Sequence, residues 1–469
     1  QVAVTSLAAY FDDEITAMPN LVTVGAAGTA SAVAGIPFYS NDTSSMYTAD
    51  VSGTDSTAQN NAAYGYTALD AITTGDNNTA MGSETLSANT TGAGNTGFGR
   101  NVLTNNVSGE DNTAVGFNAL ANNLANNNVA VGYNTMYANT TGTRNLAIGF
   151  GAYDASDTEN DNIAIGYNAM TTNTAGGTYN IAIGNYALDA LTSGDYNTAI
   201  GGSAGSAINT GGDNTIVGYL AGNALTSGAD NVAIGSTALY TATTVSGNTA
   251  LGSNALKLTA VADNTGIGRS ALEDNTTGTQ NTAVGKDALA NNTTANENTA
   301  VGYQSMLTNT TGADNTAIGL KSLTLNTTGG SNTAVGLQAL QNNTTGDGNI
   351  AVGRNAMQAN TTGTRNIAIG YTAYDASDTE NDNIAIGYNA MTTNTAGGTR
   401  NLAIGNYALD AHTSGDDNIG IGHDALGANN SGGVNVAVGR NALVLNTTGD
   451  SNVAIGAYAL DANTTGSDN

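Results

Sequence analysis

Asn112-Thr113-Ala114-Val115-Gly116 recurs along most of the chain. Variants of it stand at Asn128, Asn145, Asn162 and Asn180 and continue to Asn452-Val453-Ala454-Ile455-Gly456. Starting from the degenerate Asn61-Ala62-Ala63-Tyr64-Gly65, there are 24 copies. Their closing glycines run from Gly65 to Gly456 in 23 intervals averaging 17.0 residues, none departing from 17 by more than one. Self-similarity at a fixed period marks a solenoid or array. It overrides the two to four globular domains that 469 residues would otherwise suggest.

One coil, Asn332 to Gly348, shows how the period is filled. Its first five residues suit a strand, and Gly336 permits a tight bend or a close backbone approach. Ala339-Leu340 reads as a second short extended piece. Asn343-Thr344-Thr345-Gly346 reads as a turn, with asparagine bonding nearby backbone and glycine free to take positive φ. A helical reading fails, because Gly and Asn punctuate every coil and no 3.6-residue stripe is sustained. The expected fold is therefore all-β, a parallel β-solenoid of about 24 coils.

Counting from the motif asparagine as position 0, positions +1 and +3 share one strand face and +2 the other. Position +3 is large and apolar in all 24 copies, mostly Val or Ile. Position +1 is Thr in 11 copies and Val, Leu or Ile in 12. Position +2 is Ala in 20. Both faces avoid charge, and a strand apolar on both sides is normally buried on both. A 17-residue coil has only one interior, so the second face implies a neighbouring chain and an oligomer with its axis along the solenoid. Energetics agree. Ordering a coil costs roughly 1–2 kcal/mol per residue in backbone entropy, and its Val/Ile and Leu anchors return about 1.5–3 kcal/mol each. Stacked coils and adjacent chains must supply the rest. With ~4.8 Å between strands, 24 coils would extend about 115 Å.

Composition fits thin stacked coils: 62 glycines, 2 prolines, 5 phenylalanines, no tryptophan and no cysteine. The net charge of −27 leaves little basic surface for nucleic acid and favours solubility. No apolar run approaches the ~20 residues of a membrane span. The first residues carry no basic leader region. Residues 1–60 depart from the repeat and hold both prolines, Pro19 and Pro37. They read as an N-terminal cap or attachment segment, with a short helix over Ala8–Met18, a strand at Leu21–Val24 and a polar, turn-rich stretch from Ser40 to Thr57. Solenoids need such atypical ends. Residues 61–469 are the solenoid. Within it, 143–197 resembles 364–418 at an offset of 221 residues, or 13 coils of 17, as a block duplication would leave. Asn469 falls where a new coil begins, and Gln1-Val2-Ala3-Val4 could continue that strand, so the solenoid is expected to continue or to stack head to tail.

The motif Asn-[Thr/Ile/Val]-Ala-[Val/Ile]-Gly resembles the repeats of trimeric autotransporter adhesin heads. The longer phrase Gly-x-x-Ala-Leu-x-x-Asn-Thr-Thr-Gly-x-x-Asn-Thr-Ala-Val-Gly is more similar to repeats of tailed-phage, cyanophage-like, tail fibres. The likeness covers about 410 of the 469 residues. It implies a left-handed β-roll and a homotrimeric rod. It further implies a structural fibre protein of the virion tail that attaches to a host surface glycan, with residues 1–60 meeting other tail proteins. The alternative is a bacterial cell-surface trimeric adhesin or a self-assembling extracellular filament subunit.

Three groups of residues could carry chemistry. His412 and His423 are the only histidines and, with no cysteine, read as surface residues in a variable column rather than as an enzyme's site. Asp154, Asp157, Glu159 and Asp161 recur as Asp375, Asp378, Glu380 and Asp382, an oxygen-rich loop that suits either Ca²⁺ or a solvated acidic turn. The residue just after each strand glycine forms a third candidate. It is Tyr66, Arg100, Phe117, Tyr133, Phe150, Tyr167, Tyr219, Arg269, Lys286, Tyr303, Arg354, Tyr371, Tyr388, His423 or Arg440 in successive copies, with gaps. Five of the ten basic residues lie in this column. Aromatic faces and arginine forks suit sugars and anionic saccharides. The alternative is that the column packs against a neighbouring chain or covers the coil edge.

Overall fold

A computed structural model of the chain describes residues 22–24, 30–33, 36–37, 46–47, 57–376, 378–395 and 397–469. It divides into two compact units, Gln1–Asp213 and Asn214–Asn469. The first holds an antiparallel sheet of Val22–Val24, Ala30–Val33 and Ile36–Pro37. Nine three-residue strands follow, from Ala62–Tyr64 to Thr198–Ile200. The second unit holds fifteen more, from Thr215–Val217 to Val453–Ile455. Within each unit consecutive strands pair in parallel and in register, as Thr333–Val335 does with Ile350–Val352. This is the β-solenoid the repeat predicts, with 24 coil strands among the described residues. The helix expected over Ala8–Met18 lies outside those residues.

Hydrogen bonds run from coil to coil on every side of the coil. Gly353 N–H donates to the Val335 carbonyl at 2.8 Å, Leu340 to Ala356 at 3.0 Å, Thr344 to Thr361 at 2.8 Å and Gly348 to Gly330 at 3.0 Å. Ala339-Leu340 is not the extended piece expected. It lies in a turn, and Gln338 (φ 56°) and Leu340 (φ 51°) are both left-handed. A left-handed L-residue costs roughly 1–2 kcal/mol. Here the coil has to turn sharply within 17 residues, and the inter-coil ladder holds it there. Glycine at +4 is required twice over. Gly336 has φ 137°, and a Cβ on it would lie 2.4 Å from the Gly353 carbonyl oxygen.

The strand faces are assigned the other way round from the anchors expected. Position +2, usually alanine, points inward and is fully buried, as at Ala334 and Ala351. Positions +1 and +3, the Thr/Val/Ile columns, point outward. The interior is instead filled by Ala at +2, Ala at +7, Leu at +8 and the residue at +11. Opposite a leucine only a small +2 residue fits. Departures compensate one another. Ile216 at +2 faces Gly222 at +8, where a Cβ would lie 3.0 Å from Ile216 Cδ1. Gly205 at +8 leaves the space that Ile208 at +11 fills, with 2.9 Å to its Cδ1 from a built Cβ. Close packing of this kind makes each coil's volume a joint property of three positions.

The motif asparagine is a core residue. Asn332 Oδ1 accepts the Asn349 N–H at 2.9 Å, and its Nδ2 donates to the Gly346 carbonyl of its own coil at 2.8 Å. The asparagine at +11 forms a second buried column: Asn343 Nδ2 donates to Asn326 Oδ1 at 2.8 Å and to the same Gly346 carbonyl at 3.0 Å. Buried polar groups of this kind are tolerable only when bonded. At the start of the first unit's coils, Met46 bridges Ala62 in parallel. Its N–H donates to the Asn61 carbonyl and its carbonyl accepts from Ala63, both at 2.8 Å. The neighbouring Tyr47 is buried.

Candidate functional site

Within each unit, outward side chains line up in columns because consecutive coils pair in register. At +5 the aromatic and basic residues stand exposed, Phe117 only half so, and many stack on each other. Phe117–Tyr133, Tyr133–Phe150 and Phe150–Tyr167 have ring centroids 5.3, 4.9 and 5.3 Å apart, with interplanar angles of 14° or less. Tyr371 and Tyr388 stack at 5.5 Å. Four of the column's five basic side chains lie over rings: Arg100 on Phe117, Lys286 on Tyr303, Arg354 on Tyr371, and Arg440 on Tyr458. Arg269 is exposed, as are Tyr66 and Tyr219, whose next column neighbours are Ser83 and Ser236. A stacked ring has a face occupied by its neighbour, so the stacks offer mainly edges and hydroxyls to solvent. Cations over ring faces are likewise held by cation–π attraction. The column is thus an exposed rib that also braces the coils.

The rib turns a corner at the coils that follow the two 18-residue ones, those beginning at Asn180 and Asn401. There Asn185 and Asn406 take the +5 position, and their Oδ1 atoms accept the Tyr167 and Tyr388 N–H at 3.1 and 3.0 Å. Tyr186 and Tyr407 move to +6 and meet Tyr167 and Tyr388 nearly perpendicularly, at 69° and 72°.

The acidic residues go to separate partners. Arg144 beside Asp161 holds its carboxyl below the usual range, with Nε to Oδ1 at 2.6 Å. Arg365 does the same for Asp382. Asp157 and Asp378 accept from the Thr140 and Thr361 hydroxyls. Burial pushes the Asp154 and Asp375 carboxyls up. Glu159 is buried and accepts N–H bonds from Asp157, Thr158 and Gly176 at 3.0, 3.0 and 3.1 Å. Glu380 accepts the equivalent bonds from Asp378, Thr379 and Gly397. Among the described residues no three His, Cys, Asp or Glu side chains converge as metal ligands. In the same coils Tyr153 and Tyr374 replace leucine in the core. Tyr153 OH accepts from Asn162 Nδ2 at 2.6 Å, and Ser156 stands where most coils have the second asparagine. That paired exchange, tyrosine at +8 with serine at +11, is readable in the sequence once the register is fixed.

His423 is exposed as expected, with Nδ1 2.8 Å from Asp424. His412 is not. It occupies the second asparagine column, fully buried, with Asn429 Nδ2 3.3 Å from its Nδ1. Position in the 17-residue register, +11 from Asn401, was the signal for this. Burial pushes its pKa down to about 4, opposed by the Gly415 carbonyl and Asp416. The unfolded chain binds this proton near pH 6.5. Stability is therefore fully present above pH 6.5 and is lost as pH falls toward 4, by on the order of 3 kcal/mol. His412→Asn, which restores the column, is expected to remove this component. Urea midpoints of both proteins at pH 7.5 and pH 4.5 test it, and equal pH responses would refute it.

These features define a parallel β-solenoid with two internal asparagine ladders and an aromatic rib. No family model matches the chain, and no curated protein matches it. Among the described residues no helix is long and apolar enough to cross a membrane.

Proposed function

We propose that this chain is the subunit of a homotrimeric structural fibre, a phage tail fibre that attaches to a host-cell surface glycan. The observation that carries the reading is the outward aliphatic face. Ile318, Ile369 and Ile404 at +3 leave 41, 39 and 36 % of their surface open, in register with the other +3 aliphatics of their unit. Each coil's interior is already closed by Ala and Leu, so these side chains are not needed to fill their own coil's interior. A regular apolar ladder of this extent marks an interaction surface, and its strict repetition suits another copy with the same spacing. The number three and the virion setting rest on the sequence resemblance. The +5 rib supplies edges, hydroxyls and the exposed cation of Arg269 for many weak contacts, which repetition converts to avidity.

The assembly is tested by mass in solution. A trimer is expected for the native chain, and a folded monomer would refute it. Introducing Lys at Val301, Val335 and Val352 should leave the fold intact while dissociating the trimer, because +3 side chains point away from the coil interior. Attachment is tested with glycan arrays and host cells. Serine at Tyr167, Tyr186, Tyr388 and Tyr407 should reduce binding at least tenfold, and undiminished binding would return the rib to a bracing role.

A further inference from the structure

At several coil steps the residue just before the motif asparagine clasps its counterpart in the neighbouring coil, side chain to side chain. Arg144 donates from Nε and Nη2 to Asp161, one coil on, at 2.6 and 2.7 Å. Arg365 donates to Asp382 at 2.6 and 2.8 Å, and Arg400 to Asp417 at 2.7 and 2.9 Å. At Tyr179 and Tyr196 the same clasp is made by two phenol rings, parallel within 2° and 5.1 Å apart. The 221-residue offset maps Tyr179 onto Arg400 and Tyr196 onto Asp417. One coil step therefore carries a tyrosine pair in the first copy of the block and an ion pair in the second. Both tyrosines are more than half exposed, at 52 and 57 %.

We propose that Tyr179 and Tyr196 are an oxidative crosslinking site, at which a dityrosine bond staples two adjacent coils. The chain has no cysteine, so a disulfide is not open to it, while it has 20 tyrosines. The co-reactant is a peroxide acting through a peroxidase. Each phenol gives up one electron and one proton, and the two electrons and two protons reduce one hydrogen peroxide to two waters. The two phenoxyl radicals join through a carbon ortho to each oxygen. Each of those carbons then passes its hydrogen to the phenoxyl oxygen, restoring both aromatic rings. The fold supplies proximity, which makes coupling within the chain outrun coupling between chains. Exposure supplies access and the freedom to bring ring edges together. The +5 stacks are poorer substrates. Phe117 and Phe150 form no phenoxyl radical, and Tyr371–Tyr388 is wider at 5.5 Å with Arg354 over Tyr371.

The test treats the full chain with peroxidase and hydrogen peroxide, dilute enough to avoid covalent oligomers. Cleavage at acidic residues separates Tyr179 from Tyr196, since Asp189 and Asp195 lie between them. The expected result is dityrosine fluorescence and a crosslinked peptide pair carrying both residues, lighter by two hydrogens. Tyr179→Phe keeps the stacked ring but cannot form the radical, and should reduce that peptide pair at least tenfold. Tyr179→Arg with Tyr196→Asp copies the ion pair of the other block and should fold while losing the crosslink. No Tyr179–Tyr196 pair in the oxidised native chain, or dityrosine found only in covalent oligomers, would overturn the proposal.

Discussion

Replacing Gly336 with alanine is expected to cost the unit Asn214–Asn469 about 4 kcal/mol and to open the coil at that point. Two separate costs add. A φ of 137° is one that L-residues rarely adopt, worth roughly 1–3 kcal/mol. The new methyl group would also lie 2.4 Å from the Gly353 carbonyl oxygen. That atom is backbone, held by the next coil, so it cannot swing aside, and forced overpacking costs about 1–3 kcal/mol more. Gly427→Ala is the matched control. Its built Cβ meets nothing closer than 3.3 Å, and other coils carry Gln341 or Gln358 at that position. Urea unfolding monitored by far-UV circular dichroism, with proteolysis to locate the opening, separates the two. A Gly336→Ala chain that unfolds at the native midpoint would show that coils do not approach as closely as described.

The second large effect is an asymmetry between the two asparagine columns. Asn332→Leu is expected to cost about 3 kcal/mol, whereas Asn343→Leu should cost about 1 kcal/mol or less. Asn332 Oδ1 is the acceptor for the Asn349 backbone N–H. Leucine there leaves a buried backbone donor without a partner, and the penalty is the donor's full desolvation. Asn343 bonds instead to Asn326 Oδ1 and to a carbonyl that Asn332 also serves. Removing it orphans no backbone N–H. The chain has already made this exchange, with Leu191, Ile208 and Leu225 in the same column. Where the column is interrupted, as after Asn139, the open Oδ1 has no partner among the described residues. Denaturant midpoints of the two variants decide the matter, and equal losses would contradict it.

The period was legible because a parallel solenoid must return to the same place every coil. Any residue with a conformational duty, such as Gly336, then reappears at a fixed spacing. From spacing alone follow the strands, their parallel register, the 24 coils and the columns. The alternation of +1, +2 and +3 also showed that one strand face lacked a partner within its own coil. Which face that was could not be read from it. Hydrophobicity favours Val and Ile inside and treats Ala as neutral. The tertiary structure reverses this because a 17-residue coil is too narrow: Leu at +8 and Asn at +11 occupy the interior, leaving room only for a methyl group at +2. The same narrowness turns asparagine from a turn former into a buried ladder, and it places His412 in the core while His423 stays outside. Repetition along the chain determined what recurs. Cross-sectional volume, which exists only once the coil has closed, decided what faces in.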